Sequence, residues 1–384
     1  MTRKAIYTSE NEEKLLSLGE QWNFHEAKTN EYLHGLHPYP AKFIPQIPRL
    51  AIDMYTKEGD TVYDPFCGSG TTLVEASASN RFSIGTDNNS VAVLVSKVKT
   101  HLYTLEELKG FIKFKYEFDS NLAKADVRRD LVTDNKNFYY WFSSEIIDHL
   151  SKIKGVILDS PNECQDLLLS VFSSIIVKVS FQDSDTRYTR TDKVVTVEEV
   201  TKSFKSKFER VLKEIESSLG YCIQESRVYQ ADSRTVPMID SNSVDLIVTS
   251  PPYLNAYDYH KYHRQRLHWL DADIKKVRTT EIGSHDQFTR KNAIAQPYFD
   301  DMELCFKEWH RVLRSGGKCV IIIGDAIVHK SPIYVADTFC EILVKIGFSI
   351  VNRSIRRLKP TNRAFNVKNS RMDSEHVLVF EKVD

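Results

Sequence analysis

Apolar and polar positions recur along this chain in two periods, and the switches between them mark out its elements. Short runs rich in apolar residues and bounded by turn residues predict buried strands: Thr61-Val62-Tyr63, Phe82–Thr86, Val244–Val248 and Cys319–Gly324. Helical spacing of Ile47, Leu50, Ala51 and Met54 predicts a helix over 47–55, and a short one lies near Glu10–Leu18. Phe299–Leu313 and Tyr334–Ile346 predict two more helices, the first stopped by Ser315-Gly316-Gly317. Prolines make His34–Pro45 irregular. The tail predicts two strands, Ser349–Ile355 and His376–Phe380, around a basic loop.

From about Leu105 to Ser218 the character changes. Amphipathic stretches at Phe138–Ile153 and Val200–Leu219 predict helices, with a polar loop at Gln182–Asp192. Tyr221–Tyr229 then predicts a strand that returns the chain to its core, ending at Gln230-Ala231-Asp232. The expected organisation is an α/β core in two halves, 1–104 and 221–384, separated by a mostly helical insertion over 105–220.

Two turns carry candidate chemistry. After the strand at 61–63 comes Asp64-Pro65-Phe66-Cys67-Gly68-Ser69-Gly70, and Thr71-Thr72-Leu73-Val74-Glu75-Ala76 opens a helix. The next strand ends at Asp87, 17 residues beyond Gly70, close to the ~20 that separate glycine loop and acid in a mononucleotide-binding βαβ unit. The third glycine of a dinucleotide loop is missing, and a carboxylate stands in front. Such a loop suits a cationic amino group better than a pyrophosphate. Asp87 is placed either to grip ribose hydroxyls or to cap the helix opening at Asn88-Asn89-Ser90. Asp232, another strand-end acid, suits an adenine amino group or a turn.

The second turn is Thr249-Ser250-Pro251-Pro252-Tyr253. Two prolines end the strand and stiffen the corner after it. A hydroxyl, a bare carbonyl and an aromatic ring held in fixed relation suit a flat, amino-bearing ring; the plainer reading is a strand-terminating turn with a packing tyrosine.

The chain has 384 residues, 41% hydrophobic, and no formal net charge, so any nucleic-acid contact must come from local basic clusters. Two such clusters are Tyr257–Trp269, with Lys261, Arg264 and Arg266, and the last loop, with Arg353, Arg356, Arg357, Lys359, Arg363, Lys368 and Arg371; both also read as solvated loops. Six scattered cysteines without a CxxC pair predict a reduced intracellular protein with no structural zinc, and Cys67 reads as packing. No apolar run approaches the ~18 residues of a membrane span, and the start lacks a secretory h-region, so the expected location is the cytoplasm.

Together, DPFCGSGTTLVEA at Asp64–Ala76 and TSPPY at Thr249–Tyr253 resemble the S-adenosylmethionine-dependent amino DNA methyltransferases, most closely those acting on cytosine N4. The resemblance covers roughly 33–103 and 221–384 and implies a Rossmann-like seven-stranded sheet. It implies that Asp64, Phe66, Gly68 and Gly70 line the methionine end of the cofactor, with Pro65 and Thr71 also among the cofactor-binding residues. By the same resemblance Asp87 and Asn88 lie at the ribose, Asp232 at the adenine, and Pro40-Ala41-Lys42-Phe43 forms an amino-terminal cofactor motif. Ser250 and the Pro251 carbonyl would accept from the target amine, with Pro252 stiffening the corner and Tyr253 stacking on a base flipped from double-stranded DNA. A cognate restriction endonuclease is the partner such enzymes suggest. Many enzymes with this motif place it first, so the order here is a permuted one. Adenine-N6 methylation of DNA, tRNA guanine-N2 methylation and a non-catalytic nucleic-acid-binding fold stand as alternatives.

Overall fold

The apolar runs assemble into one seven-stranded sheet. A computed structural model describes residues 9–42, 44–132, 136–289, 293–358 and 374–384. Its strands are β1 (Thr61–Asp64), β2 (Phe82–Asp87), β3 (Gln182–Ser184), β4 (Arg187–Arg190), β5 (Ser226–Gln230), β6 (Val244–Thr249), β7 (Leu313–Ile323), β8 (Ala326–Val328), β9 (Ser331–Ile333), β10 (Phe348–Arg357) and β11 (Ser374–Lys382). The main sheet runs β10-β11-β7-β6-β1-β2-β5, and the other four strands form two small hairpins. β5, β2, β1, β6 and β7 are parallel, and β11 runs antiparallel to both of its neighbours, β7 and β10, so that it alone is reversed. This is the expected Rossmann-like α/β core.

Both faces are buried, which is why the central strands read as continuous apolar runs. Alternation sorts their side chains. Val62, Leu246, Val248, Val320 and Ile322 face one side, with Trp22 and the helix Gln46–Tyr55. Tyr63, Ile247, Cys319, Ile321 and Ile323 face the other, against Phe306 and Trp309 of the helix Gln296–Val312. Asp245, the lone acid of β6, accepts the Thr61 amide at 2.8 Å and fixes the start of β1 beside it.

The insertion builds a separate apolar cluster, with Phe111, Phe118, Leu150, Leu168 and Phe208 fully or almost fully buried. Its long helices Leu105–Lys124 and Val197–Ser217 each begin with a capping box, Thr104 with Glu107 and Thr196 with Glu199. Four local expectations are corrected. Gln182–Asp192 contains the hairpin β3–β4, whose polar residues gave no apolar alternation. Phe138–Ile153 is interrupted: Ser143 caps a new helix, Ser144–Leu158, after Lys136–Trp141. The returning strand begins only at Ser226. Ser315-Gly316-Gly317 lies inside β7, which takes over directly where the helix ends at Val312. Among the described residues no helix is long and apolar enough to cross a membrane.

Candidate active site

Asp64 ends β1 in full burial. The chain then turns through Gly68 and Gly70, at φ 51° and 76°, into the helix Thr71–Ala78. A Cβ on Gly70 would come within 2.9 Å of Ser96 Oγ, so glycine is required there by space as well as by backbone. Asp87 faces this turn from the end of β2. Its carboxylate accepts the amides of Gly68 at 3.0 Å and Asn89 at 2.9 Å. The helix Ser90–Thr100 is capped by Asn89 instead, through the Val91 amide, which releases Asp87 from the capping alternative.

The double-proline corner comes after β6, the neighbour of β1. Thr249 Oγ1 donates to Asp64 Oδ1 at 2.7 Å and ties the two strand ends together. Tyr298 donates to the Pro252 carbonyl at 2.9 Å, leaving the Pro251 carbonyl as the other acceptor of the corner. Tyr253 donates to Glu375 Oε1 at 2.7 Å, and Glu375 is itself paired with Arg356 at 2.9 Å. The ring of Tyr253 is therefore anchored from β11 and β10.

Both turns open onto one cleft of about 840 Å³. Lys42, Phe66, Gly68, Thr71, Asp87, Asn88, Asp232, Ser250 and Pro252 line it. Asp64, Pro65, Gly70, Pro251 and Tyr253 are not in its wall. Asp64 stands at the strand junction, Pro65 lends its carbonyl to Thr86 and Ser233, and Gly70 packs on Ser96. Lys42 donates to the His34 carbonyl at 2.8 Å. Asp232 is clamped by Arg234, both through its amide and at 2.6 Å through its guanidinium, so the turn role and the cleft position coexist. Phe43 lies outside the described residues.

Tyr39, Tyr259 and Glu281 also line the cleft and escaped sequence reasoning, because they reach it from irregular segments or short helices without periodicity. Glu281 accepts the Tyr259 amide at 2.8 Å and the His260 ring at 2.6 Å, fixing that wall. The basic stretch 257–269 turns inward: Lys261 pairs with Asp258 and Asp286, and buried Arg266 with Asp185. In the last loop Arg353 pairs with Asp337 and Arg356 with Glu375, while Lys359, Arg363, Lys368 and Arg371 lie outside the described residues.

Burial raises the carboxyls of Asp64 and Asp87 to about 6 each, against hydrogen bonds that favour the anion. Asp64 Oδ2 is buried without a partner. Two acids of raised pKa, Asp87 in the cleft wall and Asp64 behind it, are stabilised by a ligand that brings positive charge or donors. Cys67 is buried, and burial pushes its thiol up, which fits packing. Thr249→Val would leave Asp64 Oδ1 with the Phe66 amide alone; a stability loss of ~1.5–3 kcal/mol is expected for one lost hydrogen bond to a charged group. Urea unfolding with an unchanged slope checks it.

This chain is similar to known proteins. The family model described as N6_N4_Mtase, DNA methylase, matches residues 2–97 and 244–384. The type II methyltransferase M.MjaII of Methanocaldococcus jannaschii is 23% identical over 401 aligned positions, covering 78% of this chain and 73% of its own. M.BsoBI, a type II methyltransferase of Geobacillus stearothermophilus, is 25% identical; the match covers 66% of this chain and 56% of that protein's length. Among solved structures, a TehB-like SAM-dependent methyltransferase from Corynebacterium glutamicum covers 87% of this chain and 86% of its own, at 12% identity and TM-score 0.33. The fold assignment rests on the strand order above. The family model spans β1 with its glycine turn, β2, and everything from β6 onward, so this chain belongs to the N6_N4_Mtase family of DNA methylases.

Proposed function

We propose that this chain is a site-specific DNA methyltransferase acting on the N4 amino group of a cytosine flipped out of a duplex, with S-adenosylmethionine as cofactor. One observation carries the reading: Ser250 and the Gly68–Asp87 floor, from the adjacent strands β6 and β1–β2, line the same cleft. The donor set fits the cofactor. Asp87 suits its ribose, Asp64 sets a carboxylate field for its cationic end from behind the wall, and the positive-φ Gly68 lets backbone approach it. Phe66, Thr71, Asn88 and Asp232 complete the wall around it. When bound, the cofactor supplies an electrophilic methyl on a sulfonium centre.

The chain's own residues do the rest. The exocyclic amine is a poor nucleophile because its lone pair is delocalised into the base. Ser250 and the Pro251 carbonyl, accepting from its two N–H groups, favour a pyramidal nitrogen with the lone pair turned into the cleft. Tyr253, anchored by Glu375 just beyond the cleft wall, would stack on the base as it enters. Positioning of this kind can supply ~7–11 kcal/mol, enough to exceed the few kcal/mol that base flipping costs.

The test incubates the full chain with methyl-labelled cofactor and either duplex DNA or tRNA, then digests to nucleosides. Label is expected in N4-methyl-2′-deoxycytidine from DNA. Label in N6-methyladenine selects the adenine reading, label in tRNA guanine overturns the DNA substrate, and no label anywhere overturns the enzyme.

A further inference from the structure

The cleft has a larger neighbour. A groove of about 1970 Å³ runs between residues 30–38 and parts of the insertion that include the helix Val197–Ser217. Lys42 lines both hollows, so they share a wall. The groove carries six cations, Lys42, Lys178, Lys193, Lys202, Lys207 and Arg210, against a single carboxylate, Glu199. In a chain of zero formal charge this is a local concentration, not the sequence average.

Helix geometry gathers it. Residues 199, 202, 203, 206, 207 and 210 recur at three and four positions and share one face of Val197–Ser217. Ser203 and Ser206 keep that face low between the cations and add hydroxyl donors. Among the described residues Lys178, Lys202 and Lys207 have no ion-pair partner, while Arg210 pairs with Glu214 at 2.8 Å. Behind the wall, Lys99 is fully buried with its ammonium unpaired, close enough to Lys42 and Lys207 for both to oppose its charge. Burial pushes Lys207 down to about 8, with Arg210 and Lys42 adding to the effect and Glu214 opposing it. Unpaired cations along a concave face are stabilised by a ligand with several spaced negative charges, which is what a phosphodiester strand provides.

We infer that this groove holds the phosphate backbone of the duplex whose flipped base enters the adjoining cleft, an inference that rests on the DNA-methyltransferase reading of that cleft. Lysines and serines on one helix face position the duplex and carry no base code themselves. The contact is therefore sequence-independent and strongly dependent on salt.

The test measures binding of a fluorescent duplex to the full chain by anisotropy across a salt series. Cofactor binding is followed in parallel by calorimetry. Wild type is compared with Lys178→Gln/Lys202→Gln/Lys207→Gln and with a control, Lys109→Gln/Lys113→Gln/Lys124→Gln, on the helix Leu105–Lys124 outside the groove. The groove variant is expected to bind the duplex roughly 10- to 100-fold more weakly, with the salt slope flatter by about 2–3, near 0.9 per phosphate contact. Its cofactor affinity stays at the wild-type value. If the triple variant does not fold, Lys178→Gln/Lys202→Gln changes only exposed side chains and carries the same comparison. Equal affinity and slope in groove variant and wild type overturn the groove, as does an equal loss in the control. A loss seen for a stem-loop RNA but not for the duplex overturns DNA in favour of RNA. Wild type that binds cofactor but no duplex overturns the substrate reading itself, a result separable from failure of the groove alone.

Discussion

Methyl transfer by a Ser250→Ala variant is expected to fall roughly 100- to 1000-fold, the range found when one preorganised hydrogen-bonding group is removed from a reacting centre. The substitution leaves the backbone path intact. Thr249 is still tied to Asp64, and two prolines still stiffen the corner. What goes is an acceptor needed most when the amine turns pyramidal. The loss should therefore fall on the single-turnover rate, with cofactor affinity unchanged. Ser250→Asp restores an acceptor at the same place and should recover part of the rate. An Ala variant as fast as wild type would assign the acceptor elsewhere.

Asp87→Ala carries the second large effect, a cofactor affinity lowered about 10- to 100-fold, as expected for loss of hydrogen bonds to a charged group worth ~1.5–3 kcal/mol. Calorimetry reads it directly. Part of the loss comes through the loop, since Asp87 also holds the Gly68 and Asn89 amides. The pH dependence separates the two. Burial places the Asp87 carboxyl at about 6 in the free protein, so wild-type affinity should weaken as pH falls through that value and the anion is lost. Asp87→Asn removes this component and leaves the one due to Asp64. Stability has the opposite sense. The folded chain holds these protons more tightly than the unfolded one, so the contribution of each acid is fullest below about pH 4 and is lost as pH rises through about 6. Without cofactor, Asp87→Asn should thus gain in melting temperature relative to wild type as pH rises across that window.

The sheet was legible because its central strands are buried on both faces and need apolar residues at nearly every position; Val320 to Ile323 could be little else. The glycine turn was legible because φ and space at Gly70 exclude other residues. That β1 and β6 are neighbours is a pairing between segments far apart in the chain, in the register of Tyr63 and Ile247, and no local pattern encodes it. The hairpin β3–β4 was missed because neither of its short strands presents an apolar face. Tyr39, Tyr259 and Glu281 were missed because a residue that reaches a cleft from an irregular loop leaves no periodic trace. The basic stretch at 257–269 misled for a related reason. Its partners, Asp185 and Asp286, stand elsewhere in the chain, so the sequence displays the cations without their counter-charges.

β11 lies between β10 and β7, and its Glu375 anchors the ring at the double-proline corner. A ribosome exposes Asp64, Asp87 and Ser250 long before residues 374–382 can slot into that gap. The nascent chain thus carries its glycine turn early, and the Tyr253 ring beside the double-proline corner is held only when this late strand closes the sheet. Activity should switch on in a single step once that strand has emerged, and chains terminated before it should release no partly working methylase into the cell.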